Sequence, residues 1–151
     1  MNETLYQLWL EARTRFSNQF QHIASSNLKK KLGNSPNSLG FLIRHIADVE
    51  LLFAKNVFGL PGVKVSAKTV IDKRDTGEWT DLDSLLNYQH YAFETLATTI
   101  KEQRSWDETI TTKEFGTKTK AEALGRIVSH TAYHSGQMGI ILKYGQTNQT
   151  Y

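Results

Sequence analysis

Thr119-Lys-Ala-Glu-Ala-Leu-Gly-Arg-Ile-Val-Ser-His-Thr-Ala-Tyr-His-Ser-Gly-Gln-Met-Gly-Ile-Ile-Leu142 sets the terms for the rest of the chain. It opens on a capping box, Thr119 with Glu122 three residues on, a pair whose side chains satisfy each other's free backbone amides. Leu124, Ile127, Val128, Thr131, Met138, Ile141 and Leu142 then recur at helical spacing up to a stop at Gly145, which predicts a long amphipathic helix. Within it His130 and His134 stand four residues apart on one face, a spacing at which two imidazoles can bind one cation. That is half a metal site, and as a motif it is weak on its own.

Three further segments carry the same period. From Glu3 to about Leu28, Leu5, Leu8, Trp9, Ala12, Phe16, Phe20 and Ile23 form a stripe, and Gly33 with Asn34 follow as a stop. The second helix starts between residues 36 and 39, capped by Ser35 with Pro36 at the first helical position or by Ser38 itself. It runs through Leu39, Leu42, Ile43, Ile46, Val49, Phe53 and Val57 to about Phe58, where Gly59-Leu-Pro61 predicts a left-handed cap and then a residue that cannot continue. A third helix opens at Thr80-Asp-Leu-Asp83 with Thr80 as its cap and continues through Leu82, Leu85, Leu86, Gln89, Phe93, Leu96 and Ile100.

Between these segments lie two long connections. Residues 60–79 lack sustained periodicity, and an irregular stretch of that length in a compact domain usually covers a site or serves one. In residues 104–118 the β-branched run Thr109-Ile-Thr-Thr-Lys-Glu-Phe115 before Gly116 fits an extended loop or a short hairpin equally well. The polar tail Gln146 to Tyr151 is expected to fray. With no repeat and no boundary, residues 1–151 predict one all-α domain, a four-helix bundle with long crossovers.

Composition narrows the chemistry. The 151 residues contain no cysteine, which excludes disulfides, Cys-ligated zinc and a thiol nucleophile of the protein's own, and leaves His, Asp and Glu. Net charge is +3, and the one dense basic run, Lys29-Lys30-Lys31, sits where the first helix is expected to end and complements its dipole. Without an aromatic platform or a nucleic-acid motif beside it, nucleic acid is not an expected partner. No signal-like start and no apolar span occur, so membrane association is not expected and a cytoplasmic protein is.

A third metal ligand has to come from a neighbouring helix. His45 is the best candidate, on the shoulder of the second helix's apolar stripe, whereas His22 and His90 read as boundary or surface residues. Three imidazoles with one open position describe a catalytic divalent site, although spacing alone leaves core or surface roles open for all three. Thr131 occupies the position where a zinc-protease helix has its glutamate, so a protease is disfavoured. Glu50, in the middle of an apolar stripe, must find a partner, either as a carboxylate supporting the metal site or accepting a proton, or in a salt bridge to another helix. Gln137 lies on the histidine side and can orient a ligand or substrate, while Tyr133 lies further round and is expected to pack against another helix or a partner chain.

Ser38-Leu-Gly-Phe-Leu-Ile-Arg-His-Ile-Ala-Asp-Val-Glu50 and Ser129-His-Thr-Ala-Tyr-His-Ser-Gly-Gln137 together resemble the two signature segments of the DinB/YfiT-like superfamily of metalloenzymes. The resemblance covers nearly the whole chain. It implies an up-down-down-up bundle, a divalent metal on His45, His130 and His134, a homodimer and a small-molecule substrate, and on ligand type the metal is Zn²⁺ or Ni²⁺, since imidazole accepts both. Members with known activities include bacillithiol S-transferases and mycothiol-dependent isomerases, which implies activation of a low-molecular-weight thiol for transfer to a small electrophile. Metal-dependent hydrolysis of an amide or ester, or non-catalytic binding in a stress-response module, remain alternatives. Family members often have a basic residue where Ser135 stands here.

Overall fold

The computed structural model describes residues 1–147, and the expected fraying beyond Thr147 lies outside the described residues. In chain order it contains α1 (Asn2–Gln19), α2 (Leu39–Leu52), α3 (Lys68–Ile71), α4 (Leu82–Lys101), the strands β1 (Thr109–Thr112) and β2 (Gly116–Thr119), and α5 (Lys120–Tyr144). The chain is mostly helical, as its periodicity predicts. No described helix is long and apolar enough to cross a membrane.

The first helix is shorter than its apolar stripe. It stops at Gln19, and the chain continues as two single 3₁₀ turns, Phe20–His22 and Ser25–Asn27, with Ile23 and Ala24 extended between them. Asn27 Oδ1 accepts the Ala24 amide at 2.8 Å, a local bond that competes with the helical ladder. This break lets Leu28 bury completely and its carbonyl accept the Gly40 amide at 2.9 Å. The basic run therefore does not cap α1. Lys30 Nζ instead donates to the Leu142 carbonyl in the last turn of α5, where a cation complements the exposed carbonyls.

The second helix is the buried axis of the molecule. Ser38 caps it, its hydroxyl accepting the Phe41 amide at 3.2 Å, and nearly every residue from Leu39 to Leu51 lies inside. A wide π-type turn over Phe53–Val57 follows, and Gly59 at φ +73° closes the segment in the left-handed region, as its sequence requires. The long connection after it is anchored rather than loose. Asp75 accepts the Ser38 amide at 2.9 Å, the short α3 packs on α2, and a Cβ on Gly40 would stand 1.9 Å from the Trp79 carbonyl oxygen.

Asp81, not Thr80, caps α4, because its carboxylate accepts the Ser84 amide at 3.1 Å. Residues 109–119 realise the hairpin alternative, pairing Thr109 with Thr119 and Thr112 with Gly116, which turns at φ +70°. A two-stranded hairpin is marginal alone. Ile110 and Phe115 hold it by packing onto the core. The predicted capping box starts α5, Glu122 donating to Thr119 Oγ1 at 3.1 Å and Thr119 donating to Glu122 Oε2 at 2.8 Å. Past Gly145, Gln146 exchanges two backbone bonds with Lys31, so this first residue of the tail is paired rather than frayed.

α1 packs on α4 and α5, and α2 packs on the same two helices. One apolar cluster gathers Trp9, Leu96, Ile100, Leu124 and Ile127; another gathers Phe16, Leu28, Leu39, Ile43 and Met138. In the same interior lies a polar contact, the Arg13 guanidinium on both Glu50 oxygens, at 3.0 and 3.3 Å, and on Gln89 Oε1 at 2.5 Å. Guanidinium carbon to ring-centroid distances of 5.0 Å to Phe16 and to Phe93 complete its enclosure.

Candidate metal centre

α2 carries His45 in its second turn, and α5 carries His130 and His134 on successive turns, so packing α2 against α5 brings three imidazoles from two helices together. One nitrogen from each lies within 4.8 Å of the others, and His45 Nε2 is 3.1 Å from His130 Nε2. All three rings are half-buried. Phe41 stacks parallel on His45 at 5.6 Å and 8°, while the His130 and His134 rings meet edge to face at 4.5 Å.

This environment favours neutral rings. Burial first, then the charge of His134, holds His45 down to about 4, against a smaller upward pull from Asp48. Burial, His134, His45 and Arg126 hold His130 down to about 3. Burial lowers His134 as well, against the bond it makes to Gln137. At neutral pH the group therefore offers unprotonated nitrogens, the form that ligates a metal. Two nitrogens 2.0–2.1 Å from a tetrahedral ion would stand about 3.3 Å apart, close to the spacing of His45 and His130. The donor set fits a divalent ion.

Partners behind the rings fix which nitrogen is free. Thr69, from α3, donates its hydroxyl proton to Asp48 Oδ2 at 2.6 Å, so toward His45 Nδ1, at 3.2 Å, the same oxygen can only accept. The proton of His45 therefore sits on Nδ1 and its Nε2 lone pair faces the cluster. Asp48 is itself held by the Thr69 amide, the Tyr88 hydroxyl at 2.6 Å and Arg44 Nε at 3.2 Å. Burial and the bond to Asp48 push the Tyr88 hydroxyl up, which keeps it a donor. Gln137 Oε1 lies 2.6 Å from His134 Nδ1 and accepts its proton in the same way.

The structure thus brings together His45, His130, His134 and Gln137. It does not bring Glu50 to them: that carboxylate is fully buried against Arg13, the interhelical salt bridge that was the alternative. Burial pushes the Glu50 carboxyl up, while Arg13 pulls it back. Tyr133 is 66% exposed and meets His134 edge to face at 5.1 Å, on the rim of the site rather than between helices. Ser135 is buried, its carbonyl accepting from Gln19 at 2.9 Å. His22 and His90 are exposed elsewhere.

Sequence reasoning missed Asp48 and Thr69. Asp48 carried one local signal, its place one turn after His45 on the same side of α2. Thr69 carried none, since it arrives from 24 residues away through an irregular connection. His45 and His130 open on a cavity of about 550 Å³, a size suited to a small organic molecule. Val49, Phe53, Val70 and Phe115 form its apolar walls, with Arg126 and Glu114 at its polar edge.

No curated protein and no solved structure matches the chain. A model of the DinB family matches residues 1–148, a span that includes all three histidines and both partners of their outer nitrogens. On that match, the chain belongs to the DinB family.

Proposed function

We propose that this chain is a metal-dependent enzyme in which His45, His130 and His134 hold Zn²⁺ or Ni²⁺ and a low-molecular-weight thiol is activated for transfer to a small electrophile. The carrying observation is the fate of the two buried carboxylates of α2. Glu50 is committed to Arg13, and Asp48 to Thr69, Tyr88 and Arg44, so neither is free to take a proton in the cavity. Thiol activation needs no such base. A bound divalent ion stabilises thiolate over thiol and supplies a nucleophile at neutral pH.

The chain's own residues do the remaining work. Thr69 and Gln137 hold the outer N–H groups so that the free nitrogens of His45 and His134 converge with that of His130. Val49, Phe53 and Phe115 offer an electrophile an apolar wall beside the sulfur. The sulfur's electron pair forms the new S–C bond, the leaving group departs with the pair of the broken bond, and the thiol proton passes to solvent.

The reading includes an up-down-down-up bundle. Trp79, just before α4, presses on Gly40 at the start of α2, which supports parallel α2 and α4. Asn2 at the start of α1 donates to the Lys101 carbonyl at the end of α4, and Gln19 at the end of α1 reaches Ser135 in the second half of α5. These contacts support α1 antiparallel to α4 and parallel to α5. A cytoplasmic homodimer is also part of the reading, supported by exposed Tyr133, Ile140 and Tyr144 along α5.

One observation favours a second reading. Glu114 lines the cavity without an ion-pair partner among the described residues, which supports it as the acceptor of a proton from water in a metal-dependent hydrolysis. The experiment is to assay the metal-loaded protein with several thiols and electrophiles, and with amides and esters. Thiol transfer abolished by His134→Ala supports the proposal. Hydrolysis abolished by Glu114→Gln supports the second reading, and no activity sensitive to His134→Ala sinks both.

A further inference from the structure

We infer that the ligand of the histidine-lined cavity carries a carboxylate, bound by Arg126, with its sulfur or oxygen donor at the histidines. This rests on the metal-dependent reading above and names the chemical class of its ligand. Arg126 and His130 are four residues apart on α5, so their side chains rise from neighbouring positions on one helix face and line the same cavity. The two groups are near enough for the guanidinium charge to act on His130. A ligand reaching both needs its carboxylate only a few bonds from its metal-seeking atom.

The guanidinium is positioned but uncommitted. Its carbon lies 5.9 Å from the centroid of Phe115, across the cavity on the hairpin turn. Among the described residues it makes no ion pair and no side-chain hydrogen bond, in contrast to Arg13 on Glu50 and Arg44 on Asp48. A planar fork of donors beside an apolar wall suits a carboxylate, which it can hold through two parallel bonds. Glu114, which lines the same cavity from the hairpin turn, repels an anion and so leaves Arg126 on α5 as the group that holds the carboxylate. The rest of the ligand has room: an adjoining cavity of about 390 Å³ shares Val49, Phe53, Val70 and Phe115 and continues to Asn56 and Thr111.

The test titrates metal-loaded protein with 3-mercaptopropionate, its neutral amide 3-mercaptopropanamide, and cationic cysteamine. A second series, acetohydroxamate against the monohydroxamate of succinate, tests oxygen donors. Wild type is expected to prefer the carboxylate thiol over its amide by at least about tenfold, less at high salt. Arg126→Gln is expected to bring that ratio to about one with metal content unchanged; as an exposed side chain, its loss leaves the fold intact. A wild-type ratio near one in both series, a ratio that survives Arg126→Gln, or preference for cysteamine overturns the inference. If no thiol binds but the hydroxamates show the Arg126-dependent ratio, the thiol reading falls and the carboxylate inference stands. If the thiols bind but neither series discriminates, the carboxylate inference falls and the thiol reading stands.

Discussion

The hydroxyl of Thr69 lies 3.2 Å from Nδ1 of His45, so the connection between α2 and α4 controls which nitrogen of a ligand on α2 is free. Because that hydroxyl spends its proton on Asp48, it cannot donate to the imidazole and can only hold the Nδ1 proton. Thr69→Val keeps the shape and removes the acceptor. Metal affinity, measured by competition with a chelator, should fall about 10–100-fold. Gln137→Leu should do the same through His134. Unchanged affinity in both variants would show that the rings are oriented by packing alone.

Arg13 and Glu50 separate a structural role from a catalytic one. Removing one partner leaves a buried charge without compensation, so Glu50→Leu should cost about 3–5 kcal/mol in urea unfolding. Replacing both, Arg13→Met with Glu50→Leu, should recover most of that loss. Metal affinity of the folded single variant should match wild type, since Glu50 does not belong to the group of metal-competent donors. A large loss of metal binding with little loss of stability would return Glu50 to the site.

How far the chain could be read from its sequence follows how local each interaction is. The Thr119–Glu122 box, the left-handed Gly59 and the pair His130 and His134 each depend on residues within a turn or two and are found as expected, and of the two caps open to α2 the structure uses Ser38. The end of α1 was not legible, because Asn27 competes locally with a stripe whose period continues unbroken through Ile23. Glu50 shows an intermediate case. A carboxylate in an apolar stripe demanded a partner, but nothing local distinguished Arg13 from a metal site. Thr69 was beyond reach, since its place depends on how the whole 60–79 connection returns over α2.

Gly40 tests that return directly. A Cβ there would meet the Trp79 carbonyl oxygen at 1.9 Å and the Leu28 carbonyl oxygen at 3.3 Å, both backbone atoms that cannot rotate away. Gly40→Ala should therefore destabilise by about 1–3 kcal/mol in chemical unfolding, despite the better helix propensity of alanine. It should also weaken metal binding, because the displaced segment carries Thr69. Gly136, which a Cβ would leave in open space, is the control: Gly136→Ala should be neutral or stabilising.

The metal-free protein should lose stability on mild acidification. In the unfolded chain a histidine takes up its proton near pH 6.5, whereas burial and mutual repulsion hold His45 to about 4 and His130 to about 3 in the fold. Above about pH 6.5 both states are neutral at these positions and the pair contributes nothing to the pH dependence. As pH falls through 6.5 the unfolded chain binds protons that the folded chain refuses, so stability declines progressively toward about pH 4. Urea midpoints of chelator-treated protein, compared between about pH 7 and 5, should drop in wild type and drop less in a His45→Gln, His130→Gln double variant. Restricting the window to pH 5 and above limits the contribution of carboxylates, which titrate mainly below it. Equal slopes in the two proteins would mean that the rings accept protons in the fold, and with them that the cluster does not present neutral nitrogens to an ion.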